Sequence, residues 1–231
     1  NSYMDYNYNH TINLYNIFRD IPTDIHSKNQ QKIAHQLSIN KSYIKYASNI
    51  NLSSELHNQA FFTEDKKIVN EYHTGDYYRI FPILSVGIDT PFKLKKNLFN
   101  LTYTPSIMFS ASPGLSNSNK ISNEDSSLST FSLTNSKSLN RYSGTDKLDN
   151  SKRVAYGFNA NNSNFVADLI QTYEFTDNSN FHKEQGNEKR LSDLLGALSY
   201  DNQNNIYTGY NFRVDVDDNY IKEQNINFKN N

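Results

Sequence analysis

The segment Phe99–Ala111 reads FNLTYTPSIMFSA, and every odd-numbered residue in it is apolar. The even-numbered residues are polar, apart from Met108, and Leu98 just before the segment also departs from the pattern. Successive side chains of a β-strand point to opposite faces of the sheet. The alternation therefore predicts a strand with one apolar and one polar face.

The same alternation recurs along most of the chain. A helical period does not explain it, because a repeat of about 3.6 residues would place Arg213 and Asp215 within an apolar stripe. The apolar positions are Tyr78, Ile80, Pro82, Leu84, Val86 and Ile88; Phe165, Ala167, Leu169, Tyr173 and Phe175; Ile206, Thr208, Tyr210, Phe212, Val214 and Val216; with shorter or weaker series at Val154, Tyr156, Phe158 and Ala160, at Leu194, Leu198 and Tyr200, and at Met4, Tyr6, Tyr8, Ile12 and Leu14.

Two kinds of connection separate these segments. Short polar turns at residues 161–163, 202–205 and 217–219 suit hairpins, since Asn tolerates a positive φ. Longer polar connections are predicted at residues 63–75, at residues 177–190 and at residues 113–152, which we call the motif loop. Residues 36–62 form either one hairpin that breaks near Ser48-Asn49 or a long bent strand. We predict about ten strands in an up-and-down antiparallel order.

Strand length and charge placement both favour a membrane barrel. Residues 98–112 would extend about 50 Å at ~3.4 Å per residue, enough to cross the ~25 Å apolar band of an outer-membrane barrel even when tilted. The charges of the best strands lie on the polar face, where a barrel has its water-filled lumen. These lumen-facing charges are Arg79, Asp168, Glu174, Arg213 and Asp215. A soluble sandwich, whose apolar face a second sheet covers, would show the same alternation.

Composition excludes several classes of function. The 231 residues carry 23 Lys+Arg and 24 Asp+Glu, and this balance argues against a nucleic-acid-binding protein, which usually carries a basic patch. The chain has no Cys, which excludes a disulfide scaffold and a thiol nucleophile. No run of apolar residues is long enough for a transmembrane helix. The first residues lack the features of a signal peptide, so we expect a segment of a longer protein.

The sequence offers no motif for catalysis or metal binding. The six histidines form no ligand pattern, and no nucleophile elbow, phosphate-binding loop or nucleotide fingerprint is present. The acidic run that starts at Asp215 has Tyr220 and Ile226 where a calcium loop requires Gly and Glu. We therefore expect no catalytic residue, no metal and no cofactor.

Three short elements occur in order within and just after the motif loop. They read NEDS at residues 123–126, NRYSGTDK at 140–147 and RVAYG at 153–157. This series resembles the LptD (OstA) family of lipopolysaccharide-assembly outer-membrane proteins, and the resemblance extends over residues 36–228. Departures from the family pattern are Ser122, Thr145 and Lys147. The matching positions to which the resemblance gives a structural role are Asn123, Glu124, Asp125, Ser126, Asn140, Arg141, Gly144, Asp146, Arg153, Tyr156 and Gly157.

The resemblance implies an all-β fold in which residues 1–231 are part of a large barrel, without the family's N-terminal periplasmic domain. It implies a protein integral to the bacterial outer membrane that inserts lipopolysaccharide into the outer leaflet and makes or breaks no bond. The implied partners are lipopolysaccharide, membrane lipid, a lumen-plugging lipoprotein of the LptE type, and periplasmic bridge proteins that contact the absent domain.

The charges of the motif loop suggest how it is held. Gly144 suits a tight turn with a positive φ, and Arg141, Asp146, Asp125 and Arg153 offer complementary charges. We hypothesise that the loop folds into or across the barrel mouth and is latched there by Arg–carboxylate pairs. The alternative is a solvated loop whose charges only keep it soluble.

Two other functions remain open from the residues. A porin-like or TonB-dependent barrel that conducts solutes would share the alternation but lack the ordered loop elements. A soluble β-sandwich adhesin would cover its apolar face with a second sheet.

Overall fold

The computed structural model describes residues 4–96, 99–112, 117–127, 130–176, 186–202 and 206–230. These residues form eleven β-strands and no helix, which confirms the predicted all-β class. No helix that could cross a membrane occurs in this described part of the chain. The strands are β1 Met4–Phe18, β2 Asn29–Lys45, β3 Ser48–Ile68, β4 Glu71–Asp89, β5 Phe92–Lys96, β6 Phe99–Ala111, β7 Lys152–Asn161, β8 Phe165–Glu174, β9 Leu194–Asp201, β10 Ile206–Asp215 and β11 Tyr220–Asn230.

All eleven strands belong to one antiparallel sheet. Each strand pairs with its sequence neighbours in the order β1-β2-β3-β4-β6-β7-β8-β9-β10-β11, so the predicted up-and-down order is confirmed. The longest strands, β2, β3 and β4, have 17, 21 and 19 residues. Soluble strands usually have about 5–6 residues, so these strands are long for a soluble sheet.

Residues 36–62 form a hairpin rather than one bent strand. The turn is at Tyr46 and Ala47, which both have positive φ angles of 51° and 62°, two residues before the predicted break. The long polar loop predicted at residues 63–75 is wrong. β3 and β4 pair through most of this segment, up to the pair Ile68↔Glu71. The polar side chains here alternate along a hairpin that extends beyond the apolar part of the sheet.

The short strand β5 was not predicted. Its presence explains how β6 tolerates Pro105. β6 pairs with β4 from Ser106 to Ala111 and with β5 from Phe99 to Tyr103. Pro105, which has no N–H to donate, lies where β6 changes from one partner to the other. Pro82 lies in the part of β4 beyond its last pair with β6, which is Leu84↔Ala111.

The two faces of the sheet differ in what covers them. The outer face carries the apolar positions predicted from the alternation, and many of these side chains are exposed. Tyr78 and Ile80, for example, are 67% and 66% exposed. The inner face carries Arg79, Phe81 and Ile83, all buried. No part of the chain that the structure describes forms a second layer over the outer face, as the sandwich alternative required. The large exposed apolar side chains on the outer face include Tyr6, Tyr8, Ile12, Leu14, Ile33, Leu52, Leu84, Ile88, Ile107, Phe109, Leu198, Tyr200, Ile226 and Phe228.

The buried apolar residues form two small clusters on the inner face. Phe81 and Ile83 of β4 pack with Leu148 and Leu139 of the motif loop. Ile170 of β8 and Leu195 of β9 pack with Phe131 and Leu133 of the same loop. The core of the molecule therefore lies between the motif loop and the inner face of the sheet.

Candidate functional site

The motif loop is fastened to the inner face by charged clusters as well as by apolar contacts. The first cluster surrounds Lys32 of β2, whose ammonium lies 2.8 Å from Oδ2 of Asp125 and 2.6 Å from Oδ1 of Asp146. It also donates to the hydroxyl of Thr145 at 2.7 Å. The alternation of β2 points Lys32 inward, so one lysine of the sheet ties together the NEDS and NRYSGTDK elements of the loop.

The two carboxylates of this cluster also hold the loop elements to each other. Asp125 accepts hydrogen bonds from the backbone N–H groups of Thr145 and Asp146 at 3.0 and 2.8 Å. Asp146 accepts in return from the N–H groups of Glu124 and Asp125 at 2.6 and 3.0 Å. The NEDS and NRYSGTDK elements are thus cross-linked through their own backbone, which explains why both contain an aspartate.

The ionised form of the Asp125 carboxyl group is strongly favoured over the protonated form. Burial alone would raise the pKa of its carboxyl group, but the hydrogen bond from Lys32 and the N–H of Asp146 hold that pKa well below its ordinary value. Asp125 is therefore negatively charged at neutral pH and acts as a fixed acceptor.

Arg79 of β4 adds a second contact from the sheet to the same part of the loop. Its guanidinium donates to the backbone carbonyls of Thr145 and Asp146 at 2.8 and 3.0 Å and to Oδ1 of Asn117 at 3.2 Å. The side chain of Gln59 on β3 accepts from the same guanidinium. Arg79 was predicted to meet water in a lumen, but the loop covers it, and only 4% of the residue is exposed.

The second cluster is fully enclosed. Asp149 lies between two arginines, 2.5 Å from Nε of Arg141 and 2.9 Å from a terminal nitrogen of Arg153. Arg141 also pairs with Glu174 of β8, and Arg153 donates to the carbonyl of Ser138. Both arginines therefore contact a carboxylate, as the latch hypothesis requires.

The partners within these clusters differ from the ones expected. Arg141 and Arg153 were expected to complement Asp125 and Asp146, but they pair with Asp149 and Glu174 instead. Asp125 and Asp146 pair with Lys32. The loop is wide enough that its aspartate elements and its arginines reach different strands of the sheet. Glu174, predicted to face water, is buried by the loop.

Three polar residues of the loop fix its turns. The amide of Asn123 bonds the backbone of Ser126 in both directions, and the hydroxyl of Ser126 accepts from the N–H of Lys147 at 2.9 Å. Asn140 donates to the carbonyl of Gly144 at 3.0 Å and accepts from the N–H of Asp149 at 3.0 Å. These side chains act through the backbone, which is how Asn and Ser usually stabilise turns.

Gly144 is required for a different reason from the one predicted. Among the described glycines only Gly186 has a positive φ, so the expected left-handed turn at Gly144 is wrong. A Cβ atom at Gly144 would lie 2.2 Å from the carbonyl oxygen of Asp125 and 2.4 Å from its Oδ1. The glycine is there because the two loop elements touch.

Glu124 connects the loop to the segment between β1 and β2. It pairs with Arg19 at the end of β1, and its Oε2 lies 3.4 Å from Nδ1 of His26. Ser122, which stands where the family pattern has proline, accepts from the N–H of Ser27 at 2.8 Å. The first part of the motif loop is thereby held to the edge of the sheet as well.

Three of the predicted residues lie outside these clusters. Tyr156 is on the outer face, where its hydroxyl donates to Oε1 of Gln171 at 2.8 Å. Gly157 allows β7 to approach β8 closely, since a Cβ there would lie 2.1 Å from the carbonyl oxygen of Leu169. Asp168 accepts from the amide of Asn159 at 2.8 Å.

The remaining two predicted charges belong to a third cluster near the loop that precedes β9. Asp215 lies 2.9 Å from the ammonium of Lys222, which also pairs with Asp193 at 3.1 Å. Arg213 lies 3.8 Å from Asp193. This cluster joins β10, β11 and the residues before β9 and does not touch the motif loop through any ion pair that the structure describes.

Sequence reasoning missed Lys32 and Asp149, which are central to the first two clusters. Lys32 lies on a strand without a distinctive motif and before residue 36, outside the predicted strands, and Asp149 lies just after the NRYSGTDK element. A signal was available for Lys32, because the spacing of Ile33, Leu37 and Ile39 would place it on the polar face of a strand. The described residues contain no group of three His, Asp or Glu side chains that could hold a metal ion.

A family model described as "LptD: LPS transport system D" matches residues 1–231. None of the curated proteins matches the chain.

Proposed function

The chain belongs to the LptD family of the lipopolysaccharide transport system, and on that premise we propose that it forms part of an outer-membrane translocon that inserts lipopolysaccharide into the outer leaflet. The family consists of outer-membrane transport proteins rather than enzymes. The sheet would be one section of the barrel wall, with its outer face against lipid and its inner face towards the lumen.

The observation that carries this proposal is the contrast between the two faces of the sheet. Large apolar side chains such as Ile12 and Tyr78 are exposed on the outer face, while ion pairs and polar side chains occupy the inner face. A charged side chain facing lipid at mid-bilayer costs about 2–4 kcal/mol, whereas one facing the lumen does not. The polar sugars and phosphates of lipopolysaccharide could follow an inner face of this kind.

Depletion of the protein in its own bacterium tests this function. We expect the amount of lipopolysaccharide on the cell surface to fall as the protein is depleted, and to recover when it is expressed again. Surface labelling of intact cells measures this. A porin-like barrel would instead lose solute uptake while surface lipopolysaccharide stayed at its normal level, and that result would contradict the proposal.

We also propose partners for this role. A lipoprotein of the LptE type would occupy the lumen, and periplasmic bridge proteins would deliver lipopolysaccharide through a periplasmic domain of the whole protein. The motif loop would act as a latch across the inner face, held by Lys32, Arg141 and Arg153, and would move when cargo passes.

An engineered disulfide tests whether the loop must move. The chain has no cysteine, so the pair Ser27→Cys and Ser122→Cys can be cross-linked selectively. The Oγ atom of Ser122 lies 2.8 Å from the backbone nitrogen of Ser27, and a disulfide there would lock the loop to the segment between β1 and β2. We expect oxidation of this variant to lower surface lipopolysaccharide and reduction to restore it.

A second disulfide provides the control. Ser48 and Thr90 have hydroxyl oxygens 2.8 Å apart, and a disulfide there would join β3 to the end of β4 without cross-linking the motif loop. The variant Ser48→Cys with Thr90→Cys should keep normal surface lipopolysaccharide in both redox states. Normal levels in the oxidised Ser27/Ser122 variant would show that the loop is a fixed part of the wall.

A further inference from the structure

A cavity of about 420 Å³ lies where the motif loop meets the tip of β3 and the segment before β2. Its wall includes two lysines, Lys66 and Lys147, together with Asn117, Asn119 and Tyr142. Asp24 supplies a carboxylate at its rim, where it pairs with Lys67 at 3.0 Å. The cavity is distinct from the first two clusters, which hold the loop to the sheet, and from the third cluster.

A β-bulge directs Lys66 into this cavity. Thr63 points to the inner face, so strict alternation would turn Lys66 outward. The register of β3 against β4 shifts between Thr63 and Lys66, and Asp65 adopts a positive φ of 52°. The extra residue brings Lys66 to the inner side, where only 3% of it is exposed. Bulges commonly re-aim a side chain next to a functional site.

The buried ammonium of Lys66 forms no direct ion pair, although the carboxylates of Asp24 and Glu124 lie near enough to favour its charge. It donates to the backbone carbonyls of Asp24 and Lys67, and no acidic side chain that the structure describes lies within 4.0 Å of it. An ammonium carries three protons, and a buried charge is costly unless an opposite charge compensates it. This arrangement leaves room for an anion.

Lys222 shows what a fully compensated lysine looks like in the same sheet. A bulge between Arg213 and Val214 likewise places Lys222 of β11 on the inner side. There it pairs with Asp193, Asp215 and Glu188 at 3.1, 2.9 and 3.5 Å. The two bulges place their lysines in different surroundings. Of the two, only the bulge at Lys66 borders a cavity that also contains a second lysine. That lysine is Lys147, which has no carboxylate partner among the described residues.

We propose that this cavity binds a phosphate or carboxylate group carried on a saccharide, with Lys66 and Lys147 compensating its charge. The amide group of Asn119 has a donor and an acceptor suited to sugar hydroxyls, and the ring of Tyr142 gives a flat apolar wall. This site rests on the proposed function, because the saccharide would be part of a lipopolysaccharide molecule that moves along the inner face.

Direct binding to the full protein in detergent micelles tests the site by calorimetry. We expect glucose 1-phosphate to bind at least about tenfold more tightly than methyl glucoside, which lacks the charge, and than inorganic phosphate, which lacks the sugar. Lys147→Gln should weaken binding of glucose 1-phosphate by about tenfold or more. The exposed Lys152→Gln carries the same charge change outside the cavity and should bind as the parent does.

Two results would overturn the proposal. Equal affinities for inorganic phosphate and glucose 1-phosphate would exclude recognition of a saccharide, and unaltered binding by Lys147→Gln would place the ligand elsewhere. Lys66→Gln is a weaker test, because loss of its contacts can disturb the hairpin.

Surface lipopolysaccharide in cells that express each variant separates the two sources of the ligand. A lower level with Lys147→Gln than with Lys152→Gln assigns the site to lipopolysaccharide. An equal level, with sugar phosphate binding lost, overturns the link to transport and leaves a site for a free sugar phosphate. Failure of the depletion experiment would contradict the transport function without affecting the measured binding.

Discussion

Replacing Asp149 with asparagine is expected to release the motif loop from the inner face and to lower the free energy of unfolding by about 3–5 kcal/mol. Asp149 is fully buried between Arg141 and Arg153, whose side chains are likewise enclosed. Asparagine has nearly the same shape but no charge. The variant would leave two buried guanidinium groups beside the carboxylate of Glu174, which forms its ion pair with Arg141.

Two measurements would detect this change. Urea unfolding of the protein in detergent micelles reports the loss of stability. Limited digestion with trypsin reports release of the loop, because Lys137, Arg141 and Lys147 all lie within it and should be cut faster in the variant.

An exposed aspartate serves as the matched control. Asp217 pairs with Lys189 at 3.2 Å, but its side chain is about half exposed. Exposed pairs contribute about 0–1 kcal/mol, so Asp217→Asn should unfold and digest like the parent. If Asp149→Asn also matched the parent in both measurements, the second cluster would not be what holds the loop.

The sequence predicts the sheet well because alternation is a local property. In β6 and β10 a residue is apolar or polar according to the face it occupies, so the pattern can be recognised without knowing which strands pair. The strand β5, with the sequence FKLKK, alternates as well, but its two apolar positions are too few to distinguish a strand from a turn. The hairpin turn lies at Tyr46 and Ala47, two residues before the break predicted at Ser48-Asn49, because neither residue type favours a positive φ.

The site was harder to predict because its contacts are distant in sequence. Lys32 and Asp146 are in different parts of the chain, and only the stacking of β2 beneath the motif loop brings them together. The motifs single out residues of the loop as a group, but they carry no information about the partners of those residues on the sheet. Lys66 was beyond prediction, because a single extra residue in β3 reverses the face on which it lies.

The contact between the two loop elements leads to a prediction about Gly144. Gly144→Ala is expected to separate the NEDS and NRYSGTDK elements and to destabilise the protein by about 1–3 kcal/mol or more, the usual effect of an added methyl group where there is no space. The new Cβ would lie 2.2 Å from the backbone oxygen of Asp125, which cannot move aside as a flexible side chain could. Displacing Asp125 would also disturb its bonds to Lys32, Thr145 and Asp146.

Gly87→Ala in β4 is the appropriate comparison, since its Cβ would lie an ordinary 3.7 Å from Cγ of Met108. Without a clash, alanine there should be neutral or stabilising by about 0.4–1 kcal/mol, because it restricts the unfolded chain. Urea unfolding and trypsin digestion would follow both variants. If Gly144→Ala behaved as Gly87→Ala does, the two elements would not be in contact in the folded protein. Faster digestion of Gly144→Ala alone would instead tie the seating of the whole loop to this one close approach, since Lys32 cannot hold Asp125 and Asp146 together once their backbones are forced apart.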